Sequence, residues 1–169
     1  MRRVHGLPMV ALAIFAFTGA AAAPYVTAAQ APPAAQAPRP PQAAPQPTPP
    51  CGPNLGASQK NVAPQSRCFE MRTYTVREGS SIDLLHSRFR DHTIQLFKKH
   101  GMTNVGYWQP LGKPNQLIYI LAYKDAAARD AAWAAFNVDP EWVKTRTEMV
   151  VNLQVDNMFM SATDYSELK

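Results

Sequence analysis

FEMRTYTV, residues 69–76, is the stretch whose reading decides the fold. Aromatic, β-branched and apolar residues dominate it, so a strand is expected. Side chains alternate between the two faces of a strand. Phe69, Met71, Thr73 and Thr75 therefore share one face, and Glu70, Arg72, Tyr74 and Val76 share the other. An acid, a guanidinium and a phenol in a row form an unusual lining for a sheet. What they face determines what this surface can do.

Downstream, Glu78-Gly79-Ser80 reads as a turn, and Ser80 with Asp83 three residues on as a capping box. A helix is expected from there to about His100. Ile82, Leu85, Phe89, Thr93 and Leu96 recur at spacings of three and four and form its buried stripe. Gly101 supplies the left-handed stop. MTNVGYWQ (102–109) and QLIYILAY (116–123) are strands, and the turn-rich segment 110–115 makes them a hairpin. Asp125 caps a second, alanine-rich helix, and Asp139 with Pro140 opens a further short one. Residues 150–160 complete the order as a last strand.

The order β-α-β-β-α-β predicts a ferredoxin-like α+β fold, a four-stranded antiparallel sheet with both helices on one face. With Met71 assigned to the helix side, Glu70, Arg72 and Tyr74 are expected on the bare side. Either Trp108 or Tyr107 from the second strand joins them there, as do Tyr119 and Tyr123 from the third. A bare face rich in rings is not left in water. Two sheets stacked face to face cover each other, which predicts a homodimer, a dimeric α+β barrel, with a lined cavity between the sheets.

The formal charge of +5 invites a nucleic-acid reading that its distribution rejects. From Phe69 to Lys169 there are 12 Lys and Arg against 12 Asp and Glu. The five remaining basic residues all precede that segment. A neutral domain without a basic stripe argues against phosphate-backbone binding, so no nucleic-acid partner is expected.

Residues 1–23 have a basic start at Arg2 and Arg3, an apolar run, and a small-residue end at Ala20 to Ala23. That is the layout of a secretory signal peptide. The apolar run falls short of the roughly 20 residues that span a bilayer. Membrane contact is expected only if the leader stays uncleaved as an anchor. Residues 24–67 are mostly Ala, Pro and Gln and carry 12 of the 16 prolines, the composition of a disordered tether. Residues 68–169 form the domain. Localisation is therefore expected to be secreted or periplasmic, in a bacterial cell envelope. The two cysteines, Cys51 and Cys68, either pair in that oxidising compartment or remain free thiols. Sequence does not set the Cα separation that a bridge needs.

CFEMRTYTVREG, FRDHTIQLFKKHGMTNVGYWQP and NQLIYILAYKDAAARDAAWAAFNVDPEW together resemble the NIPSNAP family, a branch of the dimeric α+β barrel superfamily. The resemblance runs from about Cys68 to about Met149. It carries the Glu-x-Arg-x-Tyr strand, the Lys-His-Gly helix end and the Arg-Asp-x-x-Trp segment. It implies the ferredoxin-like fold and the dimer, and no defined reaction. Animal members are mitochondrial proteins linked to vesicle traffic and mitophagy signalling. The export-type leader and proline-rich tether depart from them, so no mitochondrial role is implied.

The expected activity is the binding of a small apolar or aromatic ligand, or of a partner segment, between the sheets. Glu70, Arg72, Tyr74, Trp108, Tyr119 and Tyr123 would line the site. The alternative is a cofactor-independent monooxygenase- or isomerase-like enzyme, by analogy with the wider superfamily. Arg72 and His92 are then the candidate catalytic residues. Arg72 holds a carboxylate or enolate, or else simply pairs with Glu70. His92 acts as a base at a pocket mouth, or else bonds a backbone carbonyl. No nucleotide, phosphate-loop or zinc pattern occurs, so no cofactor and no metal is expected. In a haem-degrading variant, His92 is the only sensible axial candidate.

Overall fold

β1, Cys68–Val76, runs through the middle of a four-stranded sheet of order β2-β3-β1-β4. The other strands are β2, Thr103–Trp108, β3, Gln116–Tyr123, and β4, Leu153–Ser161. All three pairings are antiparallel. The chain is seen in a computed structural model that describes residues 48–53, 55 and 59–169. The expected leader and the first part of the expected tether lie outside the described residues.

Between β1 and β2 runs a helix in three parts. α1, Ile82–Arg88, passes through a π-helical segment, Phe89–Thr93, into α2, Ile94–Lys99. α3, Ala126–Val138, and α4, Pro140–Glu148, join β3 to β4. This is the ferredoxin-like α+β fold expected from sequence, with its second crossover divided into two helices. Among the described residues, no helix is long and apolar enough to cross a membrane.

Local chemistry places the ends. Asp125 accepts from the Ala128 amide at 2.8 Å and Asp139 from the Glu141 amide at 2.9 Å, so both cap as expected. Gly101 stops the first helix at φ +74°. The cap of α1 is Ser81, not Ser80. The extended backbone of Ser81 aims its hydroxyl at the Asp83 and Leu84 amides. Ser80 instead accepts from the Asn152 amide at 2.9 Å and ties the turn to the chain entering β4. That tie helps explain why β4 begins at Leu153 rather than Val150.

The π-helical segment shifts the helix phase by one residue. The Ile94 amide donates to the Phe89 carbonyl, five residues back, and the Thr93 hydroxyl donates to the Arg88 carbonyl at 3.2 Å. Leu85, Arg88, Phe89, Thr93, Leu96 and Phe97 are all buried as a result. Phe89 and Phe97 meet the sheet through Tyr119, which has no exposed surface and lies 5.2 Å from the ring of Phe89 and 6.0 Å from that of Phe97. Tyr74 meets Tyr119 edge-on at 5.2 Å. Such ring pairs add about 0.5–1.5 kcal/mol each beyond the area they bury.

The assignment of the two sheet faces is reversed from expectation. Glu70, Arg72, Tyr74, Tyr119 and Tyr123 all point toward the helices. Directly paired strand residues share a face. The register Arg72↔Tyr119 and Cys68↔Tyr123 therefore carries these side chains together into the helix side. Trp108 alone of the expected lining residues lies on the helix-free face, opposite Ile118 and half-exposed at 49%. It folds over Gly106. A Cβ built there would lie 2.7 Å from the indole, so the overlap needs glycine. The reversal has a physical cause. Glu70 finds its donors Arg129 and Trp133 on α3, and that fixes which face turns toward the helices. Met71, Ile120 and Met158 are left on the open side.

The packed unit also reaches back before Cys68. Cys51 and Cys68 form a disulfide with Cα atoms 4.8 Å apart, resolving the two alternatives left open by sequence. Ser66 is fully buried and accepts from the Ala162 amide at 2.6 Å, while Val62 bridges Thr163. The end of the expected tether is thus a strap fastened along the chain that leaves β4.

Candidate functional site

Glu70 has no exposed surface and sits under α3. Burying an ionised carboxylate costs several kcal/mol unless donors surround it. Here they do. Arg129 donates to both carboxylate oxygens, from Nε at 3.0 Å and from Nη2 at 2.9 Å. Arg72 donates from Nη1 at 2.6 Å. Trp133 Nε1 at 3.1 Å, the Tyr123 hydroxyl at 3.2 Å and Asn157 Nδ2 at 3.4 Å complete the shell. Burial alone would raise this carboxyl. The Arg129 hydrogen bonds and the charge of Arg72 outweigh burial and hold it below its ordinary value of 4.5. Burial and the neighbouring Glu70 charge push the Tyr123 phenol up, so it stays a donor.

Arg72 has a second set of neighbours. Its guanidinium lies 4.5 Å from the centroid of the Trp133 ring and 5.7 Å from that of Tyr74. Its Nε is buried and has no partner. Arg88 reaches toward the same region from the helix. It is only 5% exposed, donates from Nη1 to the Met149 carbonyl at 3.2 Å, and stacks 5.5 Å from the Trp142 ring. Its Nε is also buried without a partner, and so is the Tyr119 hydroxyl. Burial lowers the Arg88 value, against the opposing influence of Tyr74 and Tyr119. Burial pushes Tyr119 well above the ordinary phenol value, which keeps it protonated.

One side of this interior is open. β4 is an edge strand, and its helix-side residues are uncovered between Leu153 and Phe159, which pack against the core. Val155 stands opposite Tyr74, and Asn157 opposite Arg72. Val155 is 42% exposed, and Asn157 is exposed as well. Val155 and Asn157 therefore leave the helix side of β4 open to solvent next to Tyr74 and Arg72.

The expected site residues are thus brought together in part. Glu70, Arg72, Tyr74, Tyr119 and Tyr123 form one connected cluster, but within a subunit and not between two sheets. Trp108 is separated from them by the sheet itself. The pairing of Arg72 with Glu70, read as one alternative from sequence, is present. His92 lies half-buried in the π-helical segment. Among the described residues it takes part in none of the cluster's hydrogen bonds, ion pairs or ring contacts. Four contributors escaped the sequence reading: Arg88, Arg129, Trp133 and Asn157. Arg129 and Trp133 are four apart on one helix, so their shared face was legible as a polar-aromatic stripe aimed at a buried acid. Arg88 adjoins the stripe residue Phe89, and the π-helical segment carries both inward.

The NIPSNAP family model matches residues 69–167, more than half of the chain. Solved structures share the fold. A NIPSNAP family protein of unknown function from Agrobacterium tumefaciens is 24% identical, with a TM-score of 0.55 over 61% of this chain and 94% of that one. An uncharacterised NIPSNAP-like domain protein from Burkholderia xenovorans is 19% identical, with a TM-score of 0.53 over 59% of this chain and 88% of that one. SnoaB, a cofactor-independent oxygenase from Streptomyces nogalater, is more distant, at 15% identity and a TM-score of 0.46 over 60% of this chain and 98% of that one. That likeness carries no argument about a reaction. No curated protein matches the chain.

Proposed function

The chain belongs to the NIPSNAP family, and from that membership we propose an exported homodimer that binds a small apolar or aromatic molecule on the uncovered helix side of β4 in each subunit. The observation that carries this reading is the uncovered inner face of β4. Val155, in register with Tyr74, leaves an apolar shelf open to solvent beside buried rings and arginines. Ligand sites characteristically combine such an apolar shelf with a few converging polar groups.

The dimer is supported by the opposite face. Met158, 55% exposed, and Trp108, 49% exposed, stand out there among Met71, Ile118 and Ile120. An apolar patch of this kind, bordered by Thr73 and Asp156, is a candidate for burial against a second copy. Export is supported by the leader pattern and by the Cys51–Cys68 disulfide, since such bridges persist in oxidising compartments.

Binding is preferred to catalysis because no free base adjoins the cluster among the described residues. Glu70 is saturated by donors and held acidic, and His92 stands apart from these contacts. Native mass spectrometry of the processed chain, purified without denaturant, tests the reading. A dimer carrying a small-molecule adduct is expected. Val155→Arg, which crowds the shelf without touching Glu70, is expected to remove the adduct and keep the dimer. A bare monomer would contradict both parts.

A further inference from the structure

A second place on the molecule, apart from Glu70 and its donors, has both room and chemistry for a ligand. A cavity of about 370 Å³ opens where β1 leaves the sheet. That is the small end of the roughly 300–1,000 Å³ of ligand sites. Val76, Ile82 and Pro114 give it apolar walls, and Arg77, Glu78, Ser80 and Asn115 supply its polar groups. Val76 is buried and Ile82 packs against the core, so the apolar part is continuous with the interior.

The backbone around the cavity is tied down. The Val76 amide donates to the Asn115 carbonyl at 2.8 Å, and Asn115 Nδ2 donates back to the Val76 carbonyl at 3.2 Å. The Arg77 amide donates to the Asn152 carbonyl at 3.0 Å, and the Ser80 amide closes a turn on the Arg77 carbonyl at 3.2 Å. Gly79, at φ +81°, makes that turn possible. The chain that carries Arg77 and Glu78 is thus ordered before any ligand arrives, which lowers the cost of binding.

Arg77 and Glu78 bring opposite charges to one small space. Both are exposed, and among the described residues neither takes part in an ion pair, with the other or with any third group. A carboxylate suits Arg77, and an ammonium group suits Glu78. A ligand with only one of these would face a like charge from the other residue. A ligand with both, a short distance apart, answers each. The Ser80 hydroxyl accepts from the Asn152 amide and so keeps its own proton to donate to a carboxylate.

We propose that this cavity binds a free α-amino acid with an apolar side chain, its carboxylate on Arg77, its ammonium on Glu78 and its side chain against Val76, Ile82 and Pro114. The site is distinct from the one on β4. β1 lies between β3 and β4, and the cavity is walled by Pro114 and Asn115, which lead into β3.

The test is isothermal titration of the full chain with phenylalanine, with phenylpropanoate, which lacks the ammonium, and with phenethylamine, which lacks the carboxylate. Phenylalanine is expected to bind about fivefold more tightly than either, the upper range for an exposed charge pair. Arg77→Gln is expected to lower phenylalanine affinity about fivefold and to leave phenethylamine unchanged. Glu78→Gln should do the same to phenylalanine and leave phenylpropanoate unchanged. Val155→Arg, outside this cavity, is expected to leave phenylalanine binding as it is, so the two sites stand or fall separately. Equal binding of the three probes would overturn the doubly charged ligand. Phenylalanine binding untouched by both glutamine variants would overturn the site, and so would no phenylalanine binding at millimolar concentration.

Discussion

On one side of β1, Glu70, Arg72 and Tyr74 lie under helices, and on the other Met71, Thr73 and Thr75 look away from them. The residues alternate one by one, yet the two faces meet opposite demands. The helix side holds charge, and it holds it by surrounding one carboxylate with five donating side chains. The helix-free side holds none of that machinery and presents methionine, isoleucine and Trp108 beside Thr73, Thr75, Gln154 and Asp156. A buried ion is therefore no sign of an exposed polar surface. In this sheet the charged row is the interior, and the row of Met71, Thr73 and Thr75 is the exterior.

The sharpest way to break this contrast is to remove its centre. Glu70→Ala leaves two arginines facing each other without their acid and is expected to cost about 3–5 kcal/mol in urea unfolding. Met71→Ala, one residue on and half-buried on the other face, should cost less. Equal losses would erase the distinction between the faces. Next comes the strap at the sheet's end. The disulfide closes a 17-residue separation. Replacing both cysteines by alanine should cost about 3 kcal/mol by loop-closure entropy, read as a fall in the urea midpoint. A negligible change would mean that the strap's hydrogen bonds alone fasten it.

Acid titration sharpens the comparison further. The folded Glu70 carboxyl lies below its ordinary 4.5, so the stabilisation it brings is complete above that value. It is lost as pH falls through the folded value. Thermal unfolding should therefore be insensitive to this group near neutrality and weaken below about pH 4.5. The weakening should be shallower in Glu70→Gln. The smallest expected effect lies on the helix-free face. Gly106→Ala displaces the half-exposed indole of Trp108 and should cost under about 1 kcal/mol, as for other surface changes. Indole fluorescence should shift all the same. A large loss would place Trp108 in the core.

Much of the fold was legible in the sequence, because it rests on local signals. Period-two alternation, the stripe from Leu85 to Leu96, and the caps at Asp125, Asp139 and Gly101 each act within a few residues. The parity of β1 and β3 was legible for the same reason. Tyr119 and Tyr123 do share a face with Arg72. Which face that is depends on Arg129 and Trp133, some sixty residues away from Glu70, and a strand's alternation carries no sign to say so. The π-helical segment hid Arg88 in a similar way, since a strict 3.6 period places it at the stripe's edge.

Sedimentation velocity on adjacent substitutions of β4 tests the division of faces most directly. Asn157 and Met158 are sequence neighbours on opposite sides of the sheet. The processed chain is expected to sediment as a dimer at micromolar concentration, Met158→Lys as a folded monomer, and Asn157→Lys still as a dimer. A monomeric unaltered chain, or equal effects from the two lysines, would contradict the account.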